Sequence, residues 1–160
     1  MRTPWRVLHV GKYFAPVAGG IERFLGDLVA AQRARGDAVM ALVHDDGRRL
    51  AGGDPDWLRR CPVWLRLVFT PVSPAFGLWL RRAIRDHDPE VLHLHLPNAS
   101  AFWALLLPSA WRLPWIVHWH ADVEPSRFKP ALRLLYPFYQ VFEKAVLDRA
   151  VAIVATSREY

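Results

Sequence analysis

The sequence predicts an α/β protein built on a doubly wound parallel sheet, with helices on both faces of the sheet. Short apolar runs rich in β-branched residues alternate with segments of helical periodicity along the whole chain. The first two apolar runs are joined by a glycine-containing loop and one helical segment, as in a strand–helix–strand crossover. At 160 residues, the chain has the length of one domain with a sizeable core.

The first crossover unit occupies residues 6–43. Residues 7–10 form a short apolar run, which is typical of a strand buried on both faces. Apolar residues then recur at the spacing of one helix face, namely Ile21, Phe24, Leu25, Leu28 and Val29. Gly36 follows the last helical turn and is expected to cap it, and residues 38–43 form the next strand.

The later elements continue this alternation. We expect strands at 61–69, 91–96, 115–119 and 151–155, and helices at 74–87, 99–107 and 127–149. Pro74 suits the first turn of a helix, whereas Pro89 disfavours continuation of that helix beyond His87. Pro130 and Pro137 predict that the last helical region is kinked or divided in two.

The composition excludes several classes of protein. Hydrophobic residues make up 52% of the chain, which excludes a disordered tail. The longest run without Asp, Glu, Lys or Arg, residues 91–111, contains histidines and prolines and does not predict a membrane span. Cys61 is the only cysteine, so an internal disulfide is ruled out and a reducing compartment such as the cytoplasm is favoured.

Positive charge is concentrated in one segment. Between Arg48 and Arg85 there are eight arginines and two aspartates, which equals the net charge of +6 of the whole chain. Tryptophans interleave with these arginines, as suits an anionic membrane surface, and we predict membrane contact for Arg59, Arg60, Trp64, Arg81 and Arg82. The alternative is a compositional bias of a GC-rich genome, since 18 of the 21 basic residues are arginines. No recognisable motif for reading nucleic acid accompanies the charge, so nucleic acid is not expected as a partner.

Candidate site residues follow three of the predicted strands, whose carboxyl ends meet at one edge of a doubly wound sheet. The first group is Gly19, Gly20 and Glu22. Glycine lets a ligand approach the backbone closely, and the N-terminus of the following helix attracts an anion. Two adjacent glycines are equally typical of a plain tight turn, and Glu22 suits helix capping as well as binding of a sugar hydroxyl.

The other two groups are histidine pairs, His93 with His95 and His118 with His120. Residues i and i+2 of a strand share a face, so each pair is expected to point one way. One hypothesis is a metal-dependent hydrolase that uses these four histidines, because His-x-His-x-Asp, ending here at Asp122, resembles a motif of metallo-β-lactamase-type hydrolases.

Two observations weigh against that metal site. Val123 stands where the hydrolase motif has a further histidine, and no histidine follows His120 in the chain. The alternative is a set of buried histidines that hydrogen-bond to the backbone, which we favour for His9, His93 and His118.

The order of these motifs resembles family 4 glycosyltransferases of the GT-B fold. A glycine pair follows the first strand, His93-Leu-His95 ends a mid-domain strand, and Trp119-His120-Ala-Asp122 ends the next. The last strand leads into Ala155-Thr-Ser157-x-x-Tyr160. Within this family, the Trp-His-Ala-Asp form is similar to bacterial enzymes that build O-antigen or exopolysaccharide, some of them mannosyltransferases. The likeness covers the whole chain, but only the N-terminal half of such an enzyme.

The resemblance implies two Rossmann-like domains that face each other across a cleft. Residues 1–160 would be the N-terminal, acceptor-side domain, and the C-terminal donor-binding domain is absent from this chain. Gly19 and Gly20 would abut the donor phosphate or the acceptor. His120 would be the catalytic residue, in contact with the donor sugar near its reacting carbon, whereas His95 and Asp122 would line the acceptor side. The implied reaction uses a GDP- or UDP-hexose, retains the anomeric configuration and needs no metal or other cofactor.

The expected function is therefore the acceptor half of a transferase that moves a hexose to a glycan acceptor, lipid-linked in surface polysaccharide synthesis. Relatives bind the nucleotide with their second half, so we expect this chain alone to be inactive. A non-catalytic acceptor-binding module that needs a partner chain is the alternative. We expect a cytoplasmic location with peripheral contact at the inner face of the plasma membrane, and self-association through the face that would meet the missing domain.

Overall fold

A computed structural model describes residues 3–67, 70–121 and 133–155 of the chain. The strands are β1 (Arg6–Val10), β2 (Ala38–His44), β3 (Leu58–Cys61), β4 (Leu65–Leu67), β5 (Thr70–Val72), β6 (Val91–Leu96), β7 (Trp115–Trp119) and β8 (Ala152–Ala155). Six of them form one parallel sheet in the order β3-β2-β1-β6-β7-β8. The predicted fold class, an α/β protein with a Rossmann-like doubly wound sheet, is confirmed.

Four α-helices and one 3-10 helix connect the strands of the described ranges. They are α1 (Gly20–Ala34), α2 (Phe76–His87), the 3-10 helix (Ala99–Leu106), α3 (Pro108–Trp111) and α4 (Tyr136–Arg149). Gly36 follows the C-cap of α1 with a φ of 89°, a left-handed conformation that glycine adopts without strain. The predicted end of α2 at His87 is also confirmed, with Asp88 as the left-handed C-cap.

One face of the sheet carries a continuous apolar core. Alternate residues of the central strands are fully buried there, among them Leu8, Val10, Leu92, Leu94 and Leu96. Side chains from α2, the 3-10 helix, α3 and α4 complete the layer, namely Phe76, Leu80, Ala101, Ala104, Ala110 and Val146. This face holds most of the buried apolar surface, and burial of such surface is the main driving force of folding.

The opposite face of the sheet is covered by α1 and is divided in two. Over β2 and β3 it is apolar, where Leu25 and Val29 of α1 pack against Val39, Ala41 and Val43. Toward the carboxyl ends of β1, β6 and β7 the same face carries histidines, after the buried Val7 at the amino end of β1. The sheet therefore has one largely apolar face and one face that changes character from one edge to the other.

Two predicted elements differ from the structure. The strand predicted at 61–69 is wrong, because β3 ends at Cys61 and a separate antiparallel hairpin of β4 and β5 follows. Pro62 stands at the break, and its ring fixes φ at about −65°, whereas residues of a parallel strand lie near about −120°. The last helical region is described from Arg133, and α4 has Pro137 in its first turn, where the missing N–H costs nothing. Pro130 lies outside the described residues.

None of the helices that the structure describes is long and apolar enough to cross a bilayer.

Candidate functional site

The carboxyl ends of β1, β2, β6 and β7 lie side by side at one edge of the sheet, as parallel pairing requires. Backbone hydrogen bonds hold the segments that leave these strands. The His44 N–H donates to the Lys12 carbonyl at 3.0 Å, and the His120 N–H donates to the Leu96 carbonyl at 3.0 Å. Residues from four different chain segments are thereby fixed at this edge, which is where ligands bind in open α/β sheets.

A row of five histidine rings runs across the α1 face of the sheet toward this edge: His9, His93, His95, His118 and His120. The strand register builds the row, because His9 lies directly beside His93, and His95 lies directly beside His118. The rings of His93 and His95 stack at 4.6 Å between centroids, and those of His118 and His120 at 4.4 Å. The i, i+2 spacing predicts that His93 shares a face with His95 and His118 with His120, and this is confirmed.

Three rings of the row are linked by hydrogen bonds through their nitrogens. Nε2 of His9 lies 2.7 Å from Oε1 of Gln32 in α1. Nδ1 of His9 lies 3.0 Å from Nε2 of His95, and Nδ1 of His95 lies 3.0 Å from Nε2 of His120. The expectation that His9 bonds to the backbone is therefore wrong, since both its nitrogens meet side chains.

Burial keeps the row uncharged near neutral pH. Desolvation lowers the pKa of His9 to about 4 and that of His93 to about 2, because water does not reach these rings to solvate a positive charge. Desolvation also lowers the pKa of His120 to about 4 and the pKa of His95 well below its usual value. Neighbouring histidines lower each of these pKa values further, since a second charge in the row would be repelled.

The geometry of the row disfavours a metal centre. Two triads of histidine nitrogens, His9 with His93 and His95 and His95 with His118 and His120, each lie within 4.8 Å. His95 belongs to both triads, yet both its nitrogens are engaged in hydrogen bonds to other rings. Its plane is also within 10–19° of those of His93, His118 and His120. Lone pairs lie in the ring planes, so the stacked rings of His95, His118 and His120 direct them along nearly parallel planes and not toward the common point that tetrahedral zinc requires. In the other triad, the ring of His9 is tilted by 33° from that of His93 and by 35° from that of His95.

The glycine loop lies at the N-terminus of α1, as predicted. A side chain at Gly19 would collide with the carboxylate of Glu22, which folds back over this glycine, whereas nothing lies within 4 Å of the position of a Cβ at Gly20. Gly20 is thus the open position of the pair. Phe24, one turn further along α1, packs its ring at 4.3 Å from His118 and 5.0 Å from His120. The open backbone of Gly20 therefore lies one helical turn from the contact between α1 and the histidine row.

A second cluster of polar side chains, around His44 and Lys12, lies at the same edge and was not predicted from the sequence. Nε2 of His44 lies 2.8 Å from the Ser100 hydroxyl, and the ring of Tyr13 lies 6.2 Å from that of His44. Burial lowers the pKa of Lys12, and it lowers the pKa of His44 to about 4 with help from the Lys12 charge. Lys12 and His44 are strand-end residues, so the rule that selected His95 and His120 would have found them too.

The residues predicted to contact a membrane do not share one environment. Trp64 is 72% exposed, Arg81 and Arg82 are exposed on α2, and Arg59 and Arg82 line the same open depression. Arg60 is different, because its side chain is 3% exposed and binds Asp54 at 2.7 Å and the Ala15 carbonyl at 2.6 Å. The expectation for Arg60 does not hold, since a buried, paired guanidinium is not available to lipid headgroups. Asp122, predicted to bind substrate, lies outside the described residues.

A search against protein families matches residues 19–160 to the glycosyl transferase 4-like domain. The chain belongs to this family. The matched span contains the glycine loop, β6, β7 and four of the five histidines in the row, whereas His9 of β1 precedes it. No curated protein matches the chain. Membership of the glycosyl transferase 4-like family assigns the chain to glycosyl transfer in general, and the edge of the sheet described above is its candidate site.

Proposed function

We propose that this chain is the acceptor-side half of a retaining glycosyltransferase that moves a hexose from a nucleotide-sugar to a glycan acceptor. The observation that carries the proposal is the row of neutral histidines, which ends in His120 at the ligand-binding edge and touches α1 one turn from the open Gly20. Neutral imidazoles exchange hydrogen bonds with hydroxyl groups, and sugars present hydroxyl groups in number. The backbone of Gly20 and the first N–H groups of α1 suit a phosphate.

Within this proposal, His120 contacts the donor sugar near its reacting carbon. A hydrogen bond between a sugar hydroxyl and a fixed ring holds the sugar in one orientation, and fixed orientation lowers the barrier to transfer. His95 supports His120 from behind through the 3.0 Å contact between Nδ1 and Nε2. Gly19 is already covered by the carboxylate of Glu22, so phosphate binding falls to Gly20 and not to both glycines.

The proposed enzyme is completed by a donor-binding domain that faces this edge. Departure of a nucleoside diphosphate develops negative charge, which needs fixed positive groups or N–H donors. Lys12, two residues after the carboxyl end of β1, is a basic residue at this edge. Burial lowers the pKa of Lys12, and the negative charge of Glu22 partly offsets that shift. We therefore propose that the chain binds acceptor by itself and that transfer requires the donor-binding domain, in the same polypeptide or as a partner chain.

We further propose a lipid-linked acceptor and peripheral docking on the cytoplasmic face of the membrane. Support comes from Arg59, Arg81 and Arg82, which are exposed, and from Trp64, the most exposed of the tryptophans. Each arginine near an anionic surface contributes about 1 kcal/mol of attraction. Sedimentation with vesicles containing phosphatidylserine tests this: the double variant Arg59→Ala with Arg82→Ala should bind more weakly, and Arg23→Ala, an exposed arginine of α1, should not.

The function is tested by following the transfer of radiolabelled hexose from UDP- and GDP-hexoses to lipid-linked acceptors extracted from membranes. The assay uses this chain together with the donor-binding domain encoded after it or supplied as a second polypeptide. We expect hexose transfer to persist in excess chelator. Transfer or hydrolysis abolished by chelator and restored by zinc would favour the metal-dependent hydrolase, and acceptor binding without transfer from any donor would leave a binding module.

A further inference from the structure

The hydrogen-bonded chain from Gln32 to His120 has a built-in direction. A neutral imidazole carries one N–H and one bare nitrogen, so it donates at one position and accepts at the other. The Oε1 atom of Gln32 is a carbonyl oxygen and only accepts. At 2.7 Å from this oxygen, Nε2 of His9 must be the N–H donor, and Nδ1 of His9 must be the acceptor.

The same rule fixes the next two rings. Because Nδ1 of His9 accepts, Nε2 of His95 at 3.0 Å must carry the proton and donate it. Nδ1 of His95 then accepts from Nε2 of His120, also at 3.0 Å. The side-chain amide of Gln32, near the C-terminal end of α1 on the side that faces the sheet, thereby specifies the tautomer of three histidines in succession.

The surroundings make this order effective. His9 and His95 are 0% and 1% exposed, so water does not compete for their nitrogens. The rings of His93 and His118 stack against the ring of His95 without a hydrogen bond to the linked side chains. Phe24 covers the outer end of these linked side chains, at His120. Hydrogen bonds in such a low-dielectric setting polarise one another, which strengthens the single ordered arrangement.

We propose that Gln32, His9 and His95 are positioning residues that hold His120 in the Nε2–H tautomer, with Nδ1 as the acceptor nitrogen of that ring. This order rests on the proposed function only for its purpose, which is to hold one fixed protonation pattern on the ring that meets the sugar.

Long-range ¹H–¹⁵N NMR on the chain without substrate measures the tautomer of each histidine directly. At pH 7 we expect His9, His95 and His120 to carry the proton on Nε2. Protonation of Nδ1 in any of the three would overturn the proposal, as would an even mixture at His120. Since no sugar is present, this result does not depend on whether the chain transfers hexose.

Three variants sharpen the test. Gln32→Leu removes the acceptor, and we expect His120 to populate both tautomers, whereas Gln32→Glu retains an acceptor and should preserve the order. Gln140→Leu makes the same substitution at an exposed position of α4 and serves as the control. Unchanged tautomers in a folded Gln32→Leu variant would contradict the proposal.

The kinetic consequence is modest and specific. If Gln32→Leu leaves half of the molecules with the competent tautomer, the apparent affinity for the sugar donor falls about twofold. Gln32→Glu should restore this affinity, whereas a purely structural role of Gln32 would lower stability without the twofold change in KM.

Discussion

The two faces of the central sheet are made by alternate residues of the same strands, yet they obey different rules. In β6, Leu92, Leu94 and Leu96 enter the continuous apolar core, and His93 and His95 between them join the histidine row. Both sets are buried, so burial alone does not separate them. The difference lies in what each face does with burial: one converts it into stability, and the other keeps ionisable groups uncharged.

Buried histidines carry a cost that aliphatic side chains do not. Nε2 of His93 on the histidine face and Nδ1 of His44 on the opposite face are buried without a hydrogen-bond partner among the described residues. An unsatisfied buried polar group costs about 1–3 kcal/mol. A protein tolerates such groups mainly where function requires them, and both residues lie on strands that end at the candidate site.

The largest expected effect is acid unfolding driven by the histidine face. On this face the folded pKa of His9 is lowered to about 4 and that of His93 to about 2, against an ordinary value of 6.5, and His44 on the opposite face adds a further pKa of about 4. Below pH 6.5 these histidines bind protons in the unfolded chain but stay neutral in the folded chain. The stability present above pH 6.5 is therefore lost as pH falls toward 4. The loss is about 1.4 kcal/mol per pH unit for each such histidine.

Urea denaturation between pH 8 and pH 4 measures this loss. We expect the contribution of the histidines to the unfolding free energy to be constant from pH 8 to 7 and to fall steeply below pH 6.5. A curve that stays flat down to pH 5 would contradict the assignment of neutral buried histidines.

The next largest effect belongs to the apolar face. Leu94→Ala leaves a cavity in the continuous core and should lower the unfolding free energy by about 2–5 kcal/mol. Because Leu94 points away from the histidine row, the tautomers of His95 and His120 should be unchanged in the folded variant. Urea denaturation and histidine NMR on the same sample give both values, and altered tautomers would show that the faces are not independent.

The smallest effect has the opposite sign. His93→Leu replaces a buried ring whose Nε2 has no partner in the described chain with an aliphatic group of similar size. We expect the unfolding free energy at pH 7 to rise by about 1 kcal/mol, since the unsatisfied nitrogen is removed. The loss of unfolding free energy per pH unit below pH 6.5, the acid slope, should also be smaller by the contribution of one histidine. Leu92→Val, a conservative change on the other face, is the control and should leave the slope as it is.

The sequence predicts the alternation of strands and helices, because hydrophobic periodicity and the positions of Gly36 and Pro89 are local signals. It also predicts that His93 shares a face with His95. It does not contain the register between strands, which places His9 beside His93 and creates the chain to Gln32. These contacts join residues far apart in sequence, and pairing of this kind is set by the packing of the whole sheet.

The arginine segment shows the same limit at the surface. Arg59 and Arg60 are adjacent in sequence, and composition treats them alike. Strand β3 turns them to opposite sides, so that Arg59 is exposed and Arg60 meets Asp54 across a loop. The strand predicted from the sequence began only at Cys61, so neither the alternation of Arg59 and Arg60 along β3 nor the position of Asp54 at the end of its loop was expected.

The measurement that tests the central claim most directly is the turnover of hexose transfer by His120→Ala in the complete enzyme, compared with His87→Ala. His87 is a partly buried histidine at the end of α2, next to the amino ends of β1 and β2. We expect kcat to fall about a hundredfold or more in His120→Ala, with donor binding through the phosphate largely retained. The His87→Ala enzyme should keep its kcat. Equal turnover by the two folded variants would show that the histidine edge of the sheet is not where the sugar is transferred.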